Sequence, residues 1–168
     1  MNDDINTLLA IAEIAGVFIG FAAVGAVVGQ TRSNKTKHGD GRLINVALIS
    51  TMVIAASLVP IVFSRYGISD DLVWRISAGI FFGSNLALLI LLIRVTAGFS
   101  QIHAQMPWLS GLVWCLEPFI QIPLLLCIFG VWPDLAPSFY LTAVVTGVLQ
   151  VSLFFAHFVT AMITAADG

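Results

Sequence analysis

Charged residues are scarce in this chain of 168 residues, and their scarcity excludes most classes of water-soluble protein. Only 10% of the residues are Asp, Glu, Lys or Arg, whereas 59% are hydrophobic. Soluble domains carry about 25% charged residues, because a surface in water needs charges to stay dispersed. A surface that faces lipid is instead penalised for each charge. The composition therefore predicts an integral membrane protein.

Basic tracts and the motifs of common catalytic or metal sites are also missing. The formal net charge is -2, which provides no basic surface for nucleic acid. The two cysteines, Cys115 and Cys127, form neither a CxxC motif nor a disulfide framework. The chain has no glycine-rich phosphate loop and no nucleophile elbow. We therefore expect no nucleic-acid partner, no metal and no cofactor.

What the chain does have is a set of long apolar stretches. A helix needs about 20 apolar residues to cross a bilayer, and lipid offers the backbone no hydrogen-bond partners, so such stretches must be helical. Five stretches reach that length, at about 7–29, 43–63, 73–93, 108–130 and 139–163. We therefore predict one all-α domain over residues 1–168, a polytopic bundle of five membrane-spanning helices within a lipid bilayer. A broken or re-entrant fourth segment is the alternative, because that segment contains Pro118 and Pro123.

The basic residues predict the orientation of the bundle, since Lys and Arg accumulate on the cytoplasmic side. An outside N-terminus places more of them in the cytoplasm than outside. The cytoplasmic set is then Arg32, Lys35, Lys37, Arg42 and Arg94, against Arg65 and Arg75 outside. We therefore expect the N-terminus outside and the C-terminus inside, in a cytoplasmic membrane of the bacterial type. Trp74, Trp108 and Trp132 fall at span ends, where indoles favour the membrane interface.

The first predicted helix is rich in small residues at a spacing of four. Gly16 and Gly20 form one such pair, and Gly25 and Gly29 form another. This spacing lets two helix backbones approach closely in a membrane. The sequence therefore predicts that this helix packs against a neighbour. That neighbour is either another helix of the same chain, which we favour, or a second subunit or other membrane protein.

Glu13 lies on the same face as Gly16 and Gly20, about two turns inside the membrane. A bare carboxylate at that depth is costly and needs a partner. Arg75, near the outer start of the third helix, has a side chain long enough to reach it. We therefore predict an ion pair between Glu13 and Arg75 that holds helices one and three together. A role in taking up ions or protons is the alternative.

The fifth predicted helix carries a polar stripe through most of the bilayer. Helical spacing puts its members on one face: Thr142, Thr146, Gln150, His157, Thr160 and Thr164. The fourth helix matches it with Ser110, Trp114, Glu117 and Gln121. Polar groups in lipid must satisfy one another, so the two stripes should face each other.

Within these stripes we predict an intramembrane polar cluster of Glu117, Gln121, Gln150 and His157. Counting outward from the connection between the helices places Gln121 level with Gln150, and Glu117 between Gln150 and His157. The cluster is either a set of hydrogen bonds that fixes helix register or a proton relay from Glu117 to His157. Asn85, in the third helix, is interpreted as a separate interhelical hydrogen bond.

Three functions fit this pattern. The first is a non-enzymatic assembly, accessory or sensor subunit, favoured by short connections and the absence of catalytic motifs. The second is a homo-oligomeric channel or proton-coupled permeation protein that uses Glu117, His157 and Glu13. The third is a membrane enzyme acting on a lipid or a quinone, and only Glu117 and His157 support it.

Overall fold

The computed structural model describes residues 2–32, 39–95 and 107–166, and this part of the chain is almost entirely helical. The five long helices are α1 (Asn2–Arg32), α2 (Gly39–Ser64), α3 (Asp70–Val95), α4 (Pro107–Ile128) and α5 (Ala136–Ala166). A short 3-10 helix, Pro133–Leu135, precedes α5. All five long helices are long and apolar enough to cross a membrane. The predicted polytopic bundle of five spans is confirmed, while its orientation stays a prediction.

The fourth segment is a single helix, although it contains Pro118 and Pro123. It ends where Gly130 adopts a left-handed conformation, with φ of 66°. The N–H of Gly130 bonds to the carbonyl of Cys127, and the N–H of Val131 bonds to that of Leu126. This is the Schellman pattern of helix termination, which satisfies carbonyls that the helix leaves open. The tight turn lets α5 return alongside α4.

Helix α5 lies at the centre of the bundle and contacts each of the other four long helices. Its small residue Gly147 permits a close approach to α2, because a Cβ at that position would lie 3.0 Å from Cγ2 of Val53. The Tyr140 ring is fully buried between Trp74 and Phe81 of α3, at centroid distances of 5.6 and 6.1 Å. The prediction that Trp74 anchors the membrane interface is therefore wrong, since this indole is only 4% exposed.

Helix α1 is peripheral, with 22% of its span buried against 44% of the α5 span. It packs against α2 and α5. The face that it buries consists of Leu8, Ile11, Ala15 and Ala22, which helical periodicity aligns along one side. Phe18 extends this contact, since its ring lies 5.5 Å from that of Phe155 on α5. The opposite side of α1 faces outward.

Candidate functional site

Glu117 of α4 is the acceptor for side chains from two other helices. Asn85 of α3 donates to Oε2 at 3.2 Å, and Gln150 of α5 donates to Oε1 at 3.1 Å. Gln121, one turn further along α4, donates to Oε2 at 3.4 Å. Each donor is an amide N–H, so the carboxylate gains hydrogen bonds that lipid could not supply. The Glu117 carboxylate thereby joins α3, α4 and α5 within the bundle.

Helical spacing explains why these side chains converge. Glu117 and Gln121 are four residues apart and share one face of α4. The donors from the neighbouring helices are deeply buried, Asn85 at 4% and Gln150 at 3% exposed. Gln150 also lies 3.4 Å from the carbonyl oxygen of Val113, one turn before Glu117. A buried amide without a partner would be costly, so these contacts fix how the three helices align.

Asn85 is the member of this group that the sequence did not assign to it. It forms the interhelical hydrogen bond that was expected, but its acceptor is Glu117 itself. The missing information was which face of α3 meets α4, and an isolated Asn in an apolar helix does not provide it. A single polar residue on a third helix is nevertheless a signal, because it needs a partner inside the bundle.

A small cavity of about 30 Å³ adjoins the carboxylate. Its polar walls come from Asn85, Glu117 and Gln150, and apolar side chains such as Ile49 and Phe154 close the rest. A cavity of this size has room for about one or two water molecules. The site therefore combines an acidic group, amide groups and space for a small polar or cationic guest.

His157 is buried at 8% exposure, but it lies beyond this group. Gln150 contacts the turn between Val113 and Glu117, which places it about one turn nearer the start of α4 than counting from the connection predicts. His157 is two turns further along α5, about 10 Å away from Gln150. Its ring nitrogens form no hydrogen bond to Glu117. The structure thus brings together Glu117, Gln121 and Gln150 and leaves His157 outside their hydrogen-bond network.

The remainder of the predicted polar stripes has mixed surroundings. On α5, Thr146 is buried, whereas Thr142 and Thr160 are exposed. All three hydroxyls donate to carbonyls of their own helix, at 2.7 to 2.8 Å. These bonds satisfy the three hydroxyl donors within α5 itself. The side chains of Ser110 and Thr164 lie outside the described residues.

The structure does not bring Glu13 and Arg75 together. Nε of Arg75 lies 3.1 Å from the Asp71 carboxylate, one turn earlier on α3. The Arg75 guanidinium also packs on Gly130, where any Cβ would collide with it. Glu13 is exposed on α1, a helix that packs against α2 and α5 instead of α3. The predicted interhelical ion pair is therefore replaced by a local one at the end of α3.

The glycines of α1 divide between two sides of the helix. Gly16 and Gly20 lie on the outward side, and no atom of the described chain comes within 4 Å of a Cβ built at either position. Gly25 is half-buried and lies toward the core side, and the surroundings of Gly29 lie outside the described residues. Gly147 of α5 is instead the glycine at a close helix contact. Among the described residues, no other helix packs against Gly16 and Gly20, so the second-subunit alternative stays a prediction.

No protein-family model matches this chain, and no match to a curated protein or a solved structure was found. The function must therefore be argued from the two membrane carboxylates, Glu117 and Glu13, and their surroundings.

Proposed function

We propose that this chain is a non-enzymatic assembly or accessory subunit of a bacterial-type cytoplasmic membrane, and that two copies associate through the outward face of α1. The observation that carries the proposal is the position of Glu13, an exposed carboxyl group on an apolar helix. Glu117 finds its partners within the bundle, whereas the described residues provide none for Glu13. We therefore look for a partner of Glu13 outside this part of the chain.

The geometry of α1 gives the direction and the depth of the Glu13 side chain. Ile11 and Ala15 lie on the buried face, and each is two residues from Glu13, or about 160° around the helix. Glu13 therefore points directly away from the core. It lies about 15 Å along the helix from Asp3, well inside the apolar span. Exposing an ionised acid to hydrocarbon at such a depth costs roughly 2.5–3.5 kcal/mol on insertion scales.

A second copy of the chain satisfies this face. Both copies insert with the same orientation, so a two-fold axis along the membrane normal brings each residue of α1 to the depth of its counterpart. Gly16 and Gly20 leave the backbone open, which allows the two helices to cross closely. The two Glu13 side chains then meet at one level, where each lies against a polar group instead of lipid.

Disulfide cross-linking in native membranes tests this interface. The background is Cys115→Ser, because Cys115 is exposed, whereas Cys127 is buried. Val17→Cys places a thiol on the outward face of α1, and Phe119→Cys is the control on α4, with side-chain positions that are 56% and 61% exposed. We expect rapid dimer formation with Val17→Cys only, and its loss when Gly20→Leu is added. Equal rates at the two positions, or cross-linking that is insensitive to Gly20→Leu, would reject the interface.

A second candidate function is permeation of protons or small cations, supported by the cavity of about 30 Å³ beside Glu117. The acidic group and the amide side chains of Asn85 and Gln150 are suited to a hydrated cation or a proton. Flux into proteoliposomes distinguishes this candidate. Permeation requires a flux above that of protein-free vesicles, which Glu117→Gln abolishes and Ser152→Ala leaves unchanged. A flux equal to that of empty vesicles excludes it.

A further inference from the structure

The hydrogen bonds around Glu117 leave its charge without a counter-charge. Every side chain of the described residues that bonds to this carboxylate does so through a neutral amide group. Arg75 of α3 pairs with Asp71 instead, and it lies ten residues, or about 15 Å, before Asn85 along the helix. Helices α4 and α5 contain no Lys or Arg. A carboxylate within an apolar span is costly unless a positive charge neutralises it.

The direction of these hydrogen bonds favours a cation over a proton as the source of that charge. Oε1 of Glu117 accepts the amide of Gln150, and Oε2 accepts the amides of Asn85 and Gln121. A proton on either oxygen would turn an acceptor into a donor beside groups that are themselves donors. The three contacts therefore suit an ionised carboxylate with a cation beside it.

The cavity of about 30 Å³ beside the carboxylate offers a cation suitable ligands. Asn85, Glu117 and Gln150 all line this cavity. Asn85 and Gln150 use their N–H groups in the hydrogen bonds of the described residues, so each amide retains its oxygen as an acceptor. Neither oxygen is among the fully buried atoms without a partner, in contrast to Oε1 of Gln121. Carboxylate and amide oxygens, together with water, are the ligands that hard cations prefer.

The charge and the size of the site indicate which cation it holds. Glu117 is the only acidic residue of α4, and α5 has none, so a divalent ion would leave a net charge within the span. The cavity has room for about one or two particles of the size of water. We propose that Glu117, Asn85 and Gln150 bind one sodium ion, with water completing its coordination. This site requires neither association through α1 nor a continuous path across the membrane, so it is independent of both functions above.

Binding of radioactive sodium to the purified protein in detergent, at mildly alkaline pH, tests the site directly. We expect saturable binding of one ion per chain, which unlabelled sodium chloride displaces and choline chloride does not, because choline is too large for the cavity. Glu117→Gln should abolish this binding. Asn85→Ala should weaken it roughly tenfold, the effect of one lost contact to a charged group. Ser152→Ala, whose hydroxyl bonds to the Val148 carbonyl of its own helix, is the control and should bind sodium as the wild type does.

Melting temperatures of the same variants separate a lost site from a lost fold. At constant ionic strength, sodium chloride should raise the melting temperature of the wild type above its value in choline chloride, because a ligand that binds only the folded state stabilises it. Glu117→Gln should still melt cooperatively, but at the same temperature in both salts. If Glu117→Gln does not fold, the weaker binding expected of Asn85→Ala carries the test.

Two results would overturn the proposal. The folded wild type could show no saturable sodium binding, or Glu117→Gln could bind sodium as tightly as the wild type, which would place the ion elsewhere. The flux assay in proteoliposomes gives a separate answer. Saturable binding without flux supports a resident ion and excludes permeation, whereas proton flux without saturable sodium binding supports permeation and contradicts the sodium site.

Discussion

Replacing Glu117 by Ala removes the acceptor that joins three helices, and its cost can be worked out from the contacts. Asn85 and Gln150 are 4% and 3% exposed, so neither amide can turn to solvent when the carboxylate is lost. A buried donor stranded in this way costs about 1–3 kcal/mol. Gln150 keeps a second acceptor, the Val113 carbonyl at 3.4 Å, so the cost of leaving its amide without Glu117 is smaller.

The membrane environment lowers the combined cost of the two stranded amides. Interhelical side-chain hydrogen bonds measured in membranes average only about 0.6 kcal/mol, because the unfolded chain also finds partners within the bilayer. We therefore expect Glu117→Ala to lower the free energy of unfolding by about 2–3 kcal/mol. Glu117→Gln keeps one acceptor oxygen at the same position and should lose only about 1 kcal/mol.

Equilibrium unfolding in mixed micelles, followed by circular dichroism, measures these differences. Ser152→Ala is the control, because that hydroxyl bonds only to the Val148 carbonyl of its own helix, at 2.9 Å. It should change the free energy of unfolding by less than about 0.5 kcal/mol. If Glu117→Ala is no more destabilising than Ser152→Ala, the Glu117 carboxylate does not hold the three helices together.

Three smaller perturbations test other parts of the fold. Tyr140→Phe removes the 2.6 Å hydrogen bond to the Ala56 carbonyl of α2 and should lower the free energy of unfolding by about 1–2 kcal/mol in the same assay. An unchanged free energy of unfolding would show that this bond does not stabilise the fold. Gly130→Ala places a side chain at a left-handed backbone position against the guanidinium of Arg75, so the melting temperature of this variant should fall. Gly16→Ala, where a Cβ meets no atom within 4 Å, should not lower the melting temperature. A double-mutant cycle of Glu13→Gln and Arg75→Gln should give a coupling energy near zero, and a coupling above about 1 kcal/mol would restore the interhelical pair.

The fold could be predicted because the membrane restricts the choice of structure. Apolar stretches of about 20 residues can only be spanning helices, and the count of five follows from reading the charged and turn-forming breaks between them. Even the proline-containing fourth segment is one helix. The polar positions Glu117, Gln121 and Gln150 were recognisable for a related reason, since acidic and amide groups in hydrocarbon must turn toward each other.

What the sequence could not provide was the rotation and depth of each helix relative to its neighbours. Glu13 and Gly20 share a face, but no local pattern says whether that face meets the core or the membrane. Arg75 had a nearer acid, Asp71, one turn away, and pairs within one helix are geometrically simple. Counting from the connection places Gln150 level with Gln121, about one turn further along α4 than its contacts with Val113 and Glu117, because the sequence does not give the path of the chain between the two helices.

The most direct test of the interhelical role of Glu117 is a double-mutant cycle with Asn85, which comes from a different helix and contacts Oε2 at 3.2 Å. Glu117→Ala, Asn85→Ala and the double variant are unfolded under identical conditions. The structure predicts a coupling energy of about 1 kcal/mol, because each single change removes the same hydrogen bond. Strictly additive effects would show that the two side chains do not interact, and would contradict the account.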